Sequence, residues 1–525
     1  MAAVETVSCD GALIIGAGVA GLFAALKMAP APCTVISPEP LGKGASSGWA
    51  QGGVAAALGE GDRPAAHAAD TIAAGAGLVD PAAAAVTTEA AAARIEDLAR
   101  LGAPFARDAD GAYLLSKEAA HSAARVARFA EGDGAGRAIM ATLIEAVRAA
   151  PSVTVLPGVT AEELLVQDGR VVGALCRRVD GGGAVRCVAG ATLLAAGGLS
   201  GLYARTTNPS RIRGQALGMA ARAGASVRDV EFVQFHPTAI DAPGDPTPLA
   251  TEALRGEGAV LVDRAGRRFM VEVHADAELA PRDVVARAVF RQNRSGGGAF
   301  LDTRDALGAA LEAEFPAVAE ACRKAGIDPM QEPIPVTPAA HYHMGGVATD
   351  LSGRSDLLGL WVAGEAAATG LHGANRLASN GLLESLVFGA RAAADIGDHG
   401  RIEIPRLDGR TPASQAVAGL RAPDACITAL RETMSAQVGV ERDAASLRAA
   451  LAKFAALEAA TAGARGFHNM VAAATLTAAA ALRRTESRGG HYRTDFPETD
   501  ASQAESHSLT WADALEARVA ADLVA

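Results

Sequence analysis

Ordered structure first shows in the pattern at Ala12-Leu-Ile-Ile15, four consecutive apolar residues. GAGVAG (16–21) follows, then an alanine- and leucine-rich run to about Met28 and a second apolar run, Cys33-Thr-Val-Ile-Ser37. Short continuous apolar runs fit strands buried on both faces, and the run between them fits a helix, so the segment reads as βαβ. GxGxxG falls in its first turn, where glycines permit a tight turn and the helix N-terminus offers N–H groups to a pyrophosphate. A glycine-rich packing turn is the plainer alternative. The acid expected at the end of the second strand is not cleanly present, since Ser37 stands there and Glu39 lies just beyond.

Residues 153–200 alternate as strands, the last ending in Gly197-Gly198. Residues 225–345 are rich in Pro, Arg and His with little repetition, and read as an inserted domain. From Leu358 the first pattern returns: LGLWVAGE predicts a strand ending at Gly364-Glu365, and Gly381 to Ala394 a helix. Past roughly residue 405 the pattern is helical, with a small-residue stretch at 444–483 and a polar tail. The expected fold class is α/β, a Rossmann-like dinucleotide-binding unit with an insertion.

Composition narrows the function. Half of the 525 residues are hydrophobic, 20% are charged, 58 are glycine and the net charge is −11, which fits a packed α/β protein. The negative balance disfavours nucleic acid and anionic membranes as partners. The start, MAAVETVSCD, lacks the basic region of a secretory signal, and the early run Gly11 to Leu26 is shorter than the ~20 residues a membrane span needs. Six scattered cysteines without a CxxC pair fit reduced thiols, so a cytoplasmic location is expected.

Four polar segments are not explained by packing alone: EFVQFHPTAI with His236, LATEALRGEGA with Thr251, Glu252 and Arg255, LAPRD with Arg282, and AHYHMGG with His341 and His343. LHGANRLASNGLLES adds His372 and Arg376. Arginines, histidines and a threonine without matching acids describe a site for a dianion, most simply a small dicarboxylate. Each member has a bland alternative: a turn histidine at His236, a surface i,i+3 pair at Glu252 and Arg255, a first-turn arginine at Arg282. A zinc site at His341 and His343 is disfavoured, because a spacing of two on a strand sends them to opposite faces.

These segments, with SSGWAQGGVAAA, GLWVAGEAAATG and SRGGHYRTDFP, resemble the FAD-dependent succinate dehydrogenase/fumarate reductase flavoprotein superfamily, in order from about residue 9 to 497. The resemblance implies a discontinuous FAD-binding domain (1–235 and 346–400), an inserted α+β capping domain (236–345) and a C-terminal helical domain with a tail (401–525). It places Gly16, Ala17, Gly18, Val19, Ala20 and Gly21 on the pyrophosphate and Ser46, Ser47, Gly48, Trp49, Ala50, Gln51, Gly52 and Gly53 around the cofactor. Ser37, Ala161, Glu365, Gly381 and Leu382 complete that set. It makes His236, Leu249, Thr251, His341 and Arg376 the substrate contacts and Arg282 the proton donor and acceptor, in a relay with Glu252 and Arg255.

Two features bear on which branch of the superfamily this is. Many respiratory members attach FAD covalently to a histidine a few residues before an AEGG-type turn. That position here is Ser46, so the resemblance implies noncovalent FAD. The second is LLSKEAAHS (114–122), where members that oxidise L-aspartate place a glutamate for the substrate ammonium; Glu118 holds that position, with an exposed-loop glutamate as the alternative. The similarity to that branch implies oxidation of L-aspartate to iminoaspartate, the first step of bacterial de novo NAD synthesis. Hydride would pass to the flavin, with O2 (giving H2O2) or fumarate (giving succinate) as acceptor and quinolinate synthase as the downstream enzyme. A respiratory flavoprotein subunit and a non-catalytic FAD-binding module are the competing readings. Two departures from the pattern stand out: KEAAHS replaces REGGHS, and Arg-Gly-Gln-Ala with Gln215 replaces a Gly-Asp-Gly.

Overall fold

The computed structural model describes residues 4–130, 132–399, 407 and 420–522. Its first layer is a five-stranded parallel sheet in the order Leu360–Val362, Ala191–Leu194, Ala12–Ile15, Cys33–Ser37, Val153–Pro157. The three central strands are buried throughout, as their near-continuous apolar runs predict for a parallel sheet covered on both faces. Helix Val19–Met28 leaves the first strand through Gly16, whose φ is +116° and whose Cβ, if it had one, would lie 2.3 Å from Ala195 O. Only glycine is accommodated there. That helix packs on helix Asn380–Asp398, which closes the other flank of the site.

A second sheet, Glu5–Ser8, Ala184–Val188, Arg170–Arg178 and Val159–Gln167, sits beside the first. The inserted segment builds its own four-stranded sheet, Val233–Ile240, Ile334–His343, Phe300–Asp302 and Val260–Val262, with helix Arg282–Arg294 packed on it. It also has its own apolar core, including Leu254, Leu261, Val285, Val289, Leu301 and Val336. The two longest strands of this sheet bring His236 and His341 together.

Helices Asp424–Gln437, Ala444–Ala459 and Arg465–Arg483 form the C-terminal layer. The alanine-rich third helix is buried along most of its length, small side chains letting neighbouring backbones approach closely. The expected domain boundary at 400/401 lies outside the described residues. The polar end is not a free tail: Ser508–Leu509 pairs antiparallel with Val227–Arg228, Leu509 is buried, and helix Trp511–Asp522 packs on the two preceding helices. Among the described residues, no helix is long and apolar enough to cross a membrane. All six cysteines are free thiols, five of them buried.

Candidate active site

One cavity of about 1390 Å³ receives nearly every residue that the sequence pointed to. GAGVAG residues 16–20, Ser37, residues 46–53, Ala161, Glu365, Gly381 and Leu382 line it, as do Glu118, His236, Leu249, Thr251, Glu252, Arg282, His341 and Arg376. Gly21 and Arg255 do not. Gly21 is a packing glycine, since a Cβ there would lie 2.0 Å from Gly16 O. Arg255 lies behind Glu252, fully buried.

The glycine-rich wall has the chemistry of a dinucleotide cradle. Helix Val19–Met28 has no side-chain cap of its own; instead Val19 N donates to Ser47 Oγ across the wall (3.2 Å). Ser46 Oγ and Gln51 Oε1 are buried without a protein partner in this wall. Unclaimed N–H groups at a helix start, and unpartnered buried oxygens beside it, suit the phosphates and polar edges of a bound FAD. Glu365 adds a carboxyl that burial pushes up to about 7, against the backbone N–H of His343, which donates to its Oε1 (3.0 Å). Glu39, just past the second strand, lines the cavity paired with Arg211 (2.5 Å). Gln215 lines it too, but its amide is engaged locally, accepting from Arg213 N (2.8 Å) and donating to Arg211 O (3.0 Å).

Elsewhere in the cavity, two guanidiniums converge. Arg282 and Arg376 share a single neutral oxygen: Arg282 Nη1 and Arg376 Nη2 donate to Gln234 Oε1 at 2.9 and 3.2 Å. Arg376 stacks on the Tyr342 ring at 4.5 Å. Burial, with the adjoining charge of Arg282, brings its pKa down to about 10. Two guanidiniums held this close call for an anion with more than one carboxylate.

Two histidines face the same cavity in their neutral form. Burial first, then the positive charge of Arg282, keeps both His236 and His341 well below the usual imidazole pKa. Their rings are 5.2 Å apart. Thr238 N donates to His236 Nδ1 (3.3 Å), so its proton resides on Nε2. Thr207 Oγ1 lies 2.7 Å from His341 Nδ1 and fixes that ring. His343 turns to the opposite face, its Nε2 3.1 Å from Val230 O, as a spacing of two on a strand requires. His372 also leaves the site, pairing with buried Glu384 (2.9 Å) behind the cavity wall.

Arg282, Glu252 and Arg255 stand in a row. Arg282 Nε donates to Glu252 Oε2, and Arg255 Nη2 lies 3.8 Å from the same oxygen. Burial opposes ionisation of Glu252, but the guanidiniums of Arg282 and Arg255 outweigh it and hold its carboxyl below the usual range. Helix Glu252–Gly256 places Glu252 and Arg255 on one face, and Pro281 before helix Arg282–Arg294 puts Arg282 in a first turn aimed at the cavity.

Glu118 faces the same cavity, half-buried, and accepts a hydrogen bond from Ser379 Oγ (2.8 Å). Burial, then the nearby charge of Glu252, pushes its carboxyl up. Its loop is tied down by Arg125, a fully buried side chain that bridges Asp62 (3.0 Å) and Asp70, while His121 Nε2 reaches Ala378 O (3.0 Å). Ser379, next in the chain, has φ +60°, a left-handed conformation rarely held by a non-glycine residue. Gln234, Thr207 and Ser379 went unread in the sequence. Gln234 alone carried a usable signal, lying two residues before His236 and so on the same strand face.

A family model for an FAD-binding domain matches residues 11–382, and one for the fumarate reductase flavoprotein C-terminus matches residues 460–523. Over 499 residues the chain is 55% identical to an L-aspartate oxidase of Caulobacter vibrioides, covering 94% of this chain and 95% of the relative. It is 48% identical to one of Agrobacterium fabrum, covering 94% and 92%. Among solved structures, a FrdA mutant of E. coli quinol fumarate reductase superposes with TM-score 0.86 at 28% identity, covering 95% of this chain and 94% of that one. Mycobacterium smegmatis Sdh1 in complex with UQ1 gives 0.84 at 30% identity, covering 95% and 91%.

Proposed function

The chain belongs to the L-aspartate oxidase family of FAD-dependent enzymes, and from that premise we propose that the Arg282–Arg376–His236–His341 cluster binds the two carboxylates of L-aspartate and Glu118 its ammonium. The protein oxidises L-aspartate to iminoaspartate in NAD biosynthesis, with fumarate as an electron acceptor. The balance closes: L-aspartate gives up two electrons and two protons to become iminoaspartate, and fumarate takes up the same to become succinate. FAD, when bound, supplies the two-electron carrier between these halves.

The observation that carries the site assignment is the pairing of opposite demands in one cavity. Two arginines and two neutral histidines ask for a dianion, while a carboxylate beside them asks for a cation. L-Aspartate meets both demands; succinate meets only the first and would leave Glu118 without a cation. A respiratory flavoprotein subunit has no ammonium for that carboxylate to face. The test is whether L-aspartate, in the absence of oxygen, reduces the protein-bound flavin.

In this reading Arg376 and Arg282 grip the carboxylates, His236 and His341 donate to their remaining oxygens, and Thr251 adds a hydroxyl. In the fumarate direction Arg282 delivers the proton to carbon and regains it through Glu252, with Arg255 behind. The intervening carboxylate lets the proton move without a lasting neutral guanidine. Oxygen serves as an alternative acceptor and yields H2O2. Iminoaspartate, being unstable in water, requires prompt consumption, which quinolinate synthase provides.

FAD is held noncovalently, because neither Ser46 nor Ser47 offers the nucleophilic ring nitrogen of a histidine, and Ser47 Oγ is already committed to Val19 N. Acid or heat denaturation is expected to release all the yellow cofactor into the supernatant. Colour remaining with the precipitated polypeptide would refute noncovalent binding.

A further inference from the structure

The late segment SRGGHYRTDFP takes no part in the binding described above, yet most of its first half is held inside the molecule. Arg488 and His491 close a tight turn with reciprocal backbone hydrogen bonds of 2.8 and 3.0 Å, and Gly489 and Gly490 form its tip. Gly490 N donates to Ala374 O (2.9 Å), two residues before Arg376. Gly489 O accepts from Arg287 Nη1 (3.1 Å), five residues beyond Arg282 on the same helix. Arg488, fastened to Glu486 through Nε and Nη2 (2.9 Å each), donates Nη1 to Ala76 O (2.8 Å), beside Gly75, whose carbonyl holds Ala374 N (3.0 Å).

Space at the tip is equally restricted. Gly489 has φ +50°, and a Cβ on it would lie 2.3 Å from Ala374 O. A Cβ on Gly490 would lie 2.6 Å from Val233 O, next to Gln234. A single two-glycine tip therefore touches the three segments that carry Arg376, Arg282 and Gln234.

We propose that the Arg488–His491 turn is a positioning element that sets the spacing of Arg282 and Arg376, making the C-terminal segment part of the dicarboxylate site without contact to the ligand. Glu252 neutralises part of the Arg282 charge, but the only side-chain group that Arg282 and Arg376 share is the neutral Gln234 oxygen, and the two guanidiniums still repel each other across it. Main-chain hooks at Ala374 and Gly489 oppose that repulsion from outside the cavity. The inference rests on the dicarboxylate reading above, and a displacement of about 1 Å at such a clamp costs on the order of 100-fold.

The test uses full-length, FAD-loaded protein with Gly489→Ala. KM for L-aspartate and for fumarate is expected to rise together by at least about 10-fold, a smaller loss than a full 1 Å displacement would cause. The dissociation constant of malonate, a dicarboxylate that does not react, should rise by the same factor while FAD stays bound. Arg287→Met, which removes the hook on Gly489 together with the ion pair to Asp283 and the stack on Tyr492 and adds no bulk, should act in the same direction, and Arg287→Lys should recover most of the loss. Unchanged KM and malonate affinity in FAD-loaded Gly489→Ala and Arg287→Met would overturn the proposal and leave the turn as packing. Should Gly489→Ala fail to fold, the two Arg287 variants decide. Failure of the wild-type protein to bind malonate would instead strike the dicarboxylate reading itself.

Discussion

Arg282→Leu is expected to lower fumarate reduction by about 10³- to 10⁴-fold while FAD remains bound, the upper range for loss of a general acid. The side chain does two things at once. Its Nε is bonded to Glu252, and its Nη1 to Gln234, the residue that also holds Arg376. In the proposed mechanism leucine removes the proton and the carboxylate grip together. Arg282→Lys separates them: it keeps a positive charge in the cavity, but an ammonium cannot reproduce the planar fork that meets Glu252, Gln234 and a ligand at the same time. The lysine variant should therefore bind dicarboxylates better than the leucine variant and still reduce fumarate on the order of 100-fold more slowly than wild type. Succinate formed from fumarate with an artificial reductant, under exclusion of oxygen, measures this. Turnover near wild type in either variant would remove Arg282 from proton transfer.

Glu118→Gln should split the two half-reactions. The substitution keeps the shape and the hydrogen bond with Ser379, and removes only the negative charge. Aspartate oxidation is expected to fall roughly 100-fold, since a charge-assisted contact to an ammonium contributes about 2–3 kcal/mol and each 1.4 kcal/mol is tenfold. Fumarate has no ammonium, and its reduction should change by less than about 3-fold. Steady-state kcat/KM for the two substrates on one preparation gives the ratio. Equal losses in both would show that Glu118 supports the cavity wall and does not recognise the amine.

The parts of the molecule legible in the sequence are those with a local cause. Ala12–Ile15 and Cys33–Ser37 are strands because near-continuous apolar runs suit a parallel sheet covered on both sides, and Gly16 marks the turn between strand and helix. His236, Arg282, His341 and Arg376 are legible as charged or polar groups that packing alone does not explain, and the structure brings them to one cavity. Long-range pairings were not legible. Ser508–Leu509 reads as polar tail because its partner, Val227–Arg228, lies far back along the chain.

Glu118 shows the same limit from another side. An exposed loop and a site carboxylate differ only in what anchors the loop, and the anchor is Arg125 with Asp62 and Asp70, contributed by separate segments. Gln234 shares a strand face with His236, yet a neutral amide there does not by itself mark a site. Its importance comes from the two arginines that meet on it from elsewhere in the chain. His372, conversely, drew attention by its neighbours in sequence, and its ring is committed to Glu384 behind the wall.

In the proposed function one cavity combines a dicarboxylate clamp with an ammonium-facing carboxylate beside FAD. The most direct measurement mixes purified yellow protein with L-aspartate, and separately with succinate, in the absence of oxygen, and follows the flavin absorbance near its visible maximum. L-Aspartate is expected to abolish the yellow absorbance, with succinate leaving it little changed. Loss of colour with succinate but not with L-aspartate, or with neither, would contradict the account.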